Sequence, residues 1–286
     1  MNEIEIKKQI IVSSIIAKYK RGNYIINGVF LIVIICVAII AVLKTPIEFT
    51  FPVFTHIIKL SLISGIIIAV LKISIKYIRI LLLKRILLEE CAAKKYFEIM
   101  NGVYRSERKK VYREKILFEM IYGSIYSGNF NGALELLLSG KIDTKKLRKQ
   151  DLLNYYVYLA DCYYSLGNID EFLKAKSTAE KITDNKKYSV AEKINNQIKI
   201  IVLKGDLAFY NNDFKESREL FQEALLNVSS KLNKIVIIYK LSLIDIKEGM
   251  LEGAKEKLEF VINHGNEIYQ VNEAKEQIRL ISVKVE

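Results

Sequence analysis

Proline is nearly absent from this chain: Pro46 and Pro52 are the only two in 286 residues, and both fall in one short stretch. Proline interrupts helices by removing a donor and clashing with the preceding turn, so helix can run almost anywhere else, and an all-α protein is expected. Histidine is equally scarce. His56 lies in a hydrophobic stretch and His264 in the turn "NHGN", where capping or solvent contact accounts for it better than catalysis. No HExxH, CxxC, Walker loop or nucleotide-binding glycine fingerprint is present, and "GNFNG" at 128–132 reads as a turn between helices, not a phosphate cradle between strand and helix. Adjacent Glu89 and Glu90 point about 100° apart on a helix and cannot serve one substrate atom. Catalysis needs convergent groups, so the expectation is a non-enzyme with no cofactor and no metal. Three cysteines, Cys36, Cys91 and Cys162, are odd in number and far apart; they form neither a disulfide framework nor a zinc knuckle and read as reduced core thiols.

What is present is apolar and basic. The hydrophobic content of 51% excludes a disordered polymer and allows a sizeable core. The formal charge of +12 is unevenly spread: residues 1–24 carry five basic and two acidic side chains, 25–71 two and one, 72–115 thirteen and five, and 116–286 twenty-four of each. A nucleic-acid module carries its basic face on the folded domain. Here the excess lies beside the hydrophobic segments while the second half is neutral, so no nucleic-acid partner is expected. Abundant Ile, Lys and Asn fit an AT-rich bacterial genome.

Between Arg21 and Lys44 the chain reads "GNYIINGVFLIVIICVAIIAVL", without a charge, and roughly 20 such residues cross a bilayer as helix. A signal peptide is the rival reading, but the polar region before it is long and no small-x-small site follows. The stretch 53–71, "VFTHIIKLSLISGIIIAVL", is interrupted by Lys59. It reads as a second span if Lys59 and Lys72 snorkel to headgroups, or else as an interfacial or buried helix. Beyond it, Lys72, Lys76 and Arg79 recur at helical spacing, followed by Lys84 and Arg85; they form a basic stripe suited to an anionic bilayer surface, or the solvated face of a soluble helix. Counting Lys and Arg in the flanks places both termini on the cytoplasmic side. The loop at 44–52, with Phe49, Phe51 and the nearby Phe54, is then external.

The second half repeats itself. "GNFNGALELL" at 128–137 returns as "NDFKESRELF" from Asn212 and "GMLEGAKEKL" from Gly249, more loosely as "GNIDEFLKAK" from Gly167. The turn residues Gly128, Gly167, Asn212 and Gly249 stand 39, 45 and 37 residues apart, which are helix-pair lengths. Two positions after each comes an apolar anchor, Phe130, Ile169, Phe214 or Leu251. Five after it comes a small residue, Ala133, Ser217 or Ala254, with Phe172 departing. Nine after it comes Leu137, Phe221 or Leu258, with Lys176 departing, and twelve after it Gly140, Ala179, Ala224 or Val261. Small residues let helices approach and bulky ones fill the groove between them. Upstream, Leu159, Ala160 and Tyr163, then Gly205 and Ala208, then Leu241 and Ser242 precede their turns at matching positions.

This pattern resembles the tetratricopeptide repeat over about residues 115–262, although irregular helical bundles use similar spacings. The resemblance implies an α-solenoid of about four helix pairs, with "NEIYQVNEAKEQIRLIS" as a capping helix, whose first helices line a concave surface that binds peptides or proteins. By register that surface presents Phe118, Tyr122, Tyr126, Asp161, Tyr164, Asp206, Phe209, Tyr210 and Tyr239. The family's clamp for C-terminal carboxylates is not implied, because Lys115 and Lys199 occupy fitting rows without matching Asn residues.

The expected organisation is therefore a basic segment at 1–24, transmembrane helices at 25–43 and 53–71 joined by the loop at 44–52, a basic juxtamembrane helical segment at 72–114 and a cytoplasmic repeat domain at 115–286. The expected function is a membrane-anchored scaffold or adaptor for a protein or peptide partner at the cytoplasmic membrane face, the alternative a membrane-bound, peptide-responsive signalling component. The bilayer's anionic headgroups are the second expected partner.

Overall fold

A computed structural model describes residues 3–43, 51–183 and 188–285. Every regular element among them is helical, as the scarcity of proline allows. Pro52 itself falls in the first turn of α2, where its missing N–H has no intrahelical partner to lose. The chain divides into two compact units, residues 1–83 and 84–286.

The first unit holds α1 (Glu3–Leu43) and most of α2 (Phe51–Leu88). Arg79 reaches α1, donating to the Asn23 Oδ1 at 2.6 Å and the Tyr19 carbonyl at 2.6 Å, with its guanidinium 4.5 Å from the centre of the Tyr19 ring. Gly22 makes room for it: a Cβ there would lie 2.6 Å from the guanidinium. Arg79 is thus a tie between two helices and not part of an outward-facing basic stripe. The side chains of Lys72 and Lys76, the residues 44–50 and the side chains of Phe51 and Phe54 lie outside what is described.

Among the described residues, no helix is long and apolar enough to cross a membrane. Both helices also carry charge within their length, Lys18, Lys20 and Arg21 on one and Lys59 on the other. This overturns the expected transmembrane pair at 25–43 and 53–71, and with it a multi-pass placement in the cell membrane with both termini cytoplasmic.

The second unit begins in the last turns of α2, which ends at a sharp corner where Cys91 takes φ 54°. There follow α3 (Ala93–Ser106), α4 (Lys110–Tyr126), α5 (Phe130–Leu138), α6 (Lys149–Ser165), α7 (Ile169–Thr183), α8 (Val190–Tyr210), α9 (Phe214–Asn227), α10 (Lys231–Lys247), α11 (Leu251–His264) and α12 (Tyr269–Val285). The pairs α4/α5, α6/α7, α8/α9 and α10/α11 each pack closely and stack in series, and α12 covers α11. Helix pairing begins earlier than residue 115, because α3 also lies along α4. Gly123 permits that approach, since a Cβ there would sit 3.1 Å from the Tyr96 ring and 3.2 Å from the Phe97 backbone nitrogen.

The four recurring turns share one mechanism. Gly128, Gly167, Asn212 and Gly249 all take positive φ, between 61° and 82°, and each donates to the carbonyl three residues back while the next residue donates five back, as in Asp213 N to Ala208 O at 2.9 Å. These are Schellman closures, which need a left-handed residue and satisfy the helix's last carbonyls. At three of them the residue after the left-handed one then caps the following helix: Asn129 accepts from Gly132 N, Asn168 from Glu171 N and Asp213 from Glu216 N. One glycine-asparagine step thus both ends a helix and starts its partner.

Between paired helices the small residues Ala133, Ser217 and Ala254 are fully buried. Gly205 abuts Phe221, whose ring would be 2.6 Å from an added Cβ. In the second pair Phe172 takes the small residue's place and is itself fully buried, stacked at a tilt 5.3 Å from Tyr164. Lys176 at its bulky position instead pairs with Glu180 at 2.9 Å. Gly140 lies past the end of α5, with φ 70°, so the first pair has a shorter second helix than its counterparts.

Candidate functional site

The first helices α4, α6, α8 and α10 turn one face inward, and the array curls until its end meets its beginning. Glu267 N donates to the Cys91 carbonyl at 3.1 Å, Asn266 Nδ2 to the Glu90 carbonyl at 2.8 Å, and the Tyr269 ring meets the Phe130 ring edge-on at 5.1 Å. The inner surface is therefore walled by α12 as well as by the first helices.

Two cavities open on it. The larger, about 650 Å³, lies toward the C-terminal ends of the first helices and is lined by Gly128, Phe130, Tyr164, Asp206, Phe209, Tyr210, Tyr239, Lys240, Tyr269 and Gln270, among others. The smaller, about 200 Å³, lies toward their N-terminal ends, with Lys84, Tyr122, Tyr126, Asn154, Tyr158, Asp161, Lys199 and Asn233 beside a wall of Val157, Ile198, Val202, Val228, Val236 and Ile237. Of the residues expected on the concave face, Tyr164, Asp206, Phe209, Tyr210 and Tyr239 meet in the larger cavity and Tyr122, Tyr126 and Asp161 in the smaller. Phe118 lines neither; it packs on the core 6.4 Å from the Tyr158 ring.

Asp161 and Asp206 stand six positions before their respective turn residues, so stacking puts the two carboxylates on neighbouring helices in one row. Asp206 is buried and forms an ion pair with Lys240, whose ammonium also lies 5.7 Å from the centre of the Tyr164 ring and 5.5 Å from that of Phe221. Burial raises the Asp206 carboxyl, against the pull of Lys240. Asp161 has no such partner: burial pushes it up to about 7, with Asp206 adding repulsion and Lys240 and Lys199 pulling it back. Lys199 is pushed the other way, down to about 8, by burial and then by the charge of Lys84. Its ammonium donates to Asn154 Oδ1 at 2.6 Å. Asn154 and Lys199 stand in one row, thirteen positions before their turns, so the Lys/Asn adjacency that sequence spacing left unmatched is present between neighbouring repeats.

Lys84, expected in a basic stripe, pairs with Glu119 at 3.0 Å and sits 4.9 Å above the Tyr122 ring, while Arg85 stays exposed. Tyr96 donates to the same Glu119 at 2.8 Å. Tyr122 stacks on Tyr158 at 5.5 Å and meets Tyr126 edge-on at 4.9 Å, and burial first of all raises all three hydroxyls. In the larger cavity Gln270 is only 2% exposed, and its Oε1 has no hydrogen-bond partner among the described residues. Sequence reasoning missed Tyr158, Lys240, Tyr269 and Gln270. The first two were legible as the row nine positions before the turns; the last two belong to the cap, and nothing local announces that it turns inward. No cluster of metal-binding side chains occurs among the described residues.

Stacked helix pairs with Schellman turns, small residues at the crossings and an aromatic, carboxylate-bearing inner face define a tetratricopeptide-type α-solenoid, an interaction module. The model of the SusR N-terminal TPR domain matches residues 92–259, more than half of the chain, and the chain belongs to that family. The match starts at the corner before α3, in keeping with the packing of α3 on α4. No curated protein and no solved structure matches the chain.

Proposed function

We propose that the chain is a scaffold or adaptor whose larger inner cavity captures a peptide segment of a protein partner. The observation that carries this reading is the Gln270 carbonyl, buried without a donor among the described residues, on a cavity wall that also carries the rings of Phe209, Tyr210, Tyr239 and Tyr269. A buried acceptor left unmet costs about 1–3 kcal/mol, and a peptide N–H would satisfy it while the peptide's side chains rest on Phe209, Tyr210, Tyr239 and Tyr269. Peptide segments are recognised in this manner, by apolar anchors with a few placed polar groups.

Selection of random peptides displayed on phage against the full chain should enrich a consensus with at least one aromatic or aliphatic anchor. Binding of that consensus should weaken about ten-fold in Tyr210→Ala, a rim position 53% exposed whose loss leaves the core intact. No enrichment, or a consensus indifferent to that substitution, would refute the reading. The alternative of a peptide-responsive regulator is favoured by one feature: the cavity touches both the first turn, at Gly128 and Phe130, and the cap, at Tyr269 and Gln270. An occupant would bias how the ends meet, and hydrogen exchange at the Glu267 amide would slow on peptide binding if so.

A further inference from the structure

The smaller cavity carries a charge pattern that the peptide reading does not use. On the inner face Lys84 is paired with Glu119 and Lys240 with Asp206. Lys199 has only the neutral Asn154 as partner, and Asp161 makes no hydrogen bond or ion pair among the described residues. One cation and one anion are thus left over in a single cavity. They stand on neighbouring helices seven positions out of register, about 10 Å along the axis at 1.5 Å per residue, which even a lysine's reach does not close to a direct contact. Both side chains are partly buried, and charges held partly out of water without a counter-ion are costly; where they persist they mark places where something else supplies the partner.

We propose that this cavity binds the zwitterion of a single apolar α-amino acid, with the carboxylate on Lys199 and the ammonium on Asp161. A carboxylate alone would leave Asp161 unmatched and an amine alone would leave Lys199 unmatched; the two groups flanking one Cα answer both and span the gap between them. The volume of about 200 Å³ is below the roughly 300–1,000 Å³ of pockets for larger ligands, and so fits one residue. The wall formed by Ile198, Val202 and Ile237 selects an aliphatic side chain. Asn154 orients the ammonium of Lys199 and leaves its other protons for the ligand.

The proposal stands apart from peptide capture in the larger cavity, so either fails without the other. It is tested by calorimetric titration of the full chain with L-leucine, N-acetyl-L-leucine and L-leucinamide at neutral pH. Leucine should bind, and each blocked analogue should lose about ten-fold or more, the loss expected for one charge-assisted contact. Lys199→Met and Asp161→Asn should each lose leucine binding to the same degree while remaining folded by circular dichroism. Absence of binding by leucine, isoleucine, valine and phenylalanine at millimolar concentration would overturn the proposal, as would an analogue that binds as well as leucine. Should a substitution prevent folding, the analogue series on the native chain decides alone.

Discussion

At the scale of single residues, the inner face trades stability for unpaired charge, and the trade has a sign with pH. The Asp161 carboxyl titrates near 7 in the folded chain against about 3.9 in an unfolded one. Between those values the folded state holds more protons, so stability falls as pH rises from about 4 to about 7. Lys199 titrates near 8 when folded and about 10.4 when unfolded. There the unfolded state holds more protons, and stability recovers as pH rises from about 8 to about 10. Urea midpoints measured across this range should show that decline and recovery. Asp161→Asn should make the first limb shallower, the part due to the raised Asp206 carboxyl remaining, and Lys199→Met should flatten the second, each with a gain in stability at neutral pH. Away from the cavity, Asp245 is 2% exposed between Arg218 and Lys257, each at 2.7 Å. Asp245→Ala takes the carboxylate from Lys257 and leaves Arg218 with Glu248 alone, and should cost about 3 kcal/mol in urea unfolding. Gly205→Ala drives a methyl into the Phe221 ring and should cost about 1–3 kcal/mol, with Phe221→Leu in the same chain restoring part of it.

At the scale of the element, the helix pairs are set by their turns. Asn212 does the work of a glycine at φ 61°, which asparagine tolerates and most residues do not. Asn212→Ala should lower stability by about 1 kcal/mol and Asn212→Gly should leave it nearly unchanged, a contrast that thermal melts of the two variants would show. Asp213→Ala removes the cap of α9 and should cost about another 1 kcal/mol. A left-handed residue at all four turns, followed by a capping side chain at three of them, is why the repeat was visible in the sequence, since few residue types can supply either. The departures at Phe172 and Lys176 were visible too. Their outcome was not, since whether a phenylalanine fits where alanine is usual depends on Tyr164 from the facing helix.

At the scale of the whole molecule, the repeat domain closes through the links from Asn266 and Glu267 to the corner at Glu90 and Cys91. Removing α12 by ending the chain at His264 would uncover the face of α11 on which it packs, and would take Tyr269 and Gln270 from the larger cavity. Such a chain should bind a hydrophobic dye strongly and lose the selected peptides, while the pairs up to α9 keep slow hydrogen exchange, because each repeat rests mainly on its neighbours. The hydrophobic runs near the N-terminus teach the opposite lesson. Their composition pointed to a bilayer, yet among the described residues no helix is long and apolar enough to cross a membrane.

By itself the sequence determined the helical class, the four turns, the alternation of small and bulky residues at the crossings and most of the inner-facing rows. These depend on contacts within one helix pair, where spacing along the chain is also spacing in space. Only the tertiary structure decided that α3 joins the stack, that Lys84 and Arg79 turn inward to partners, that the cap closes the groove, and that Lys199 and Asp161 are left over together. Those outcomes bring together residues scores of positions apart, and which charges find partners is settled by the curl of the whole array, a sum of small rotations that no single repeat encodes.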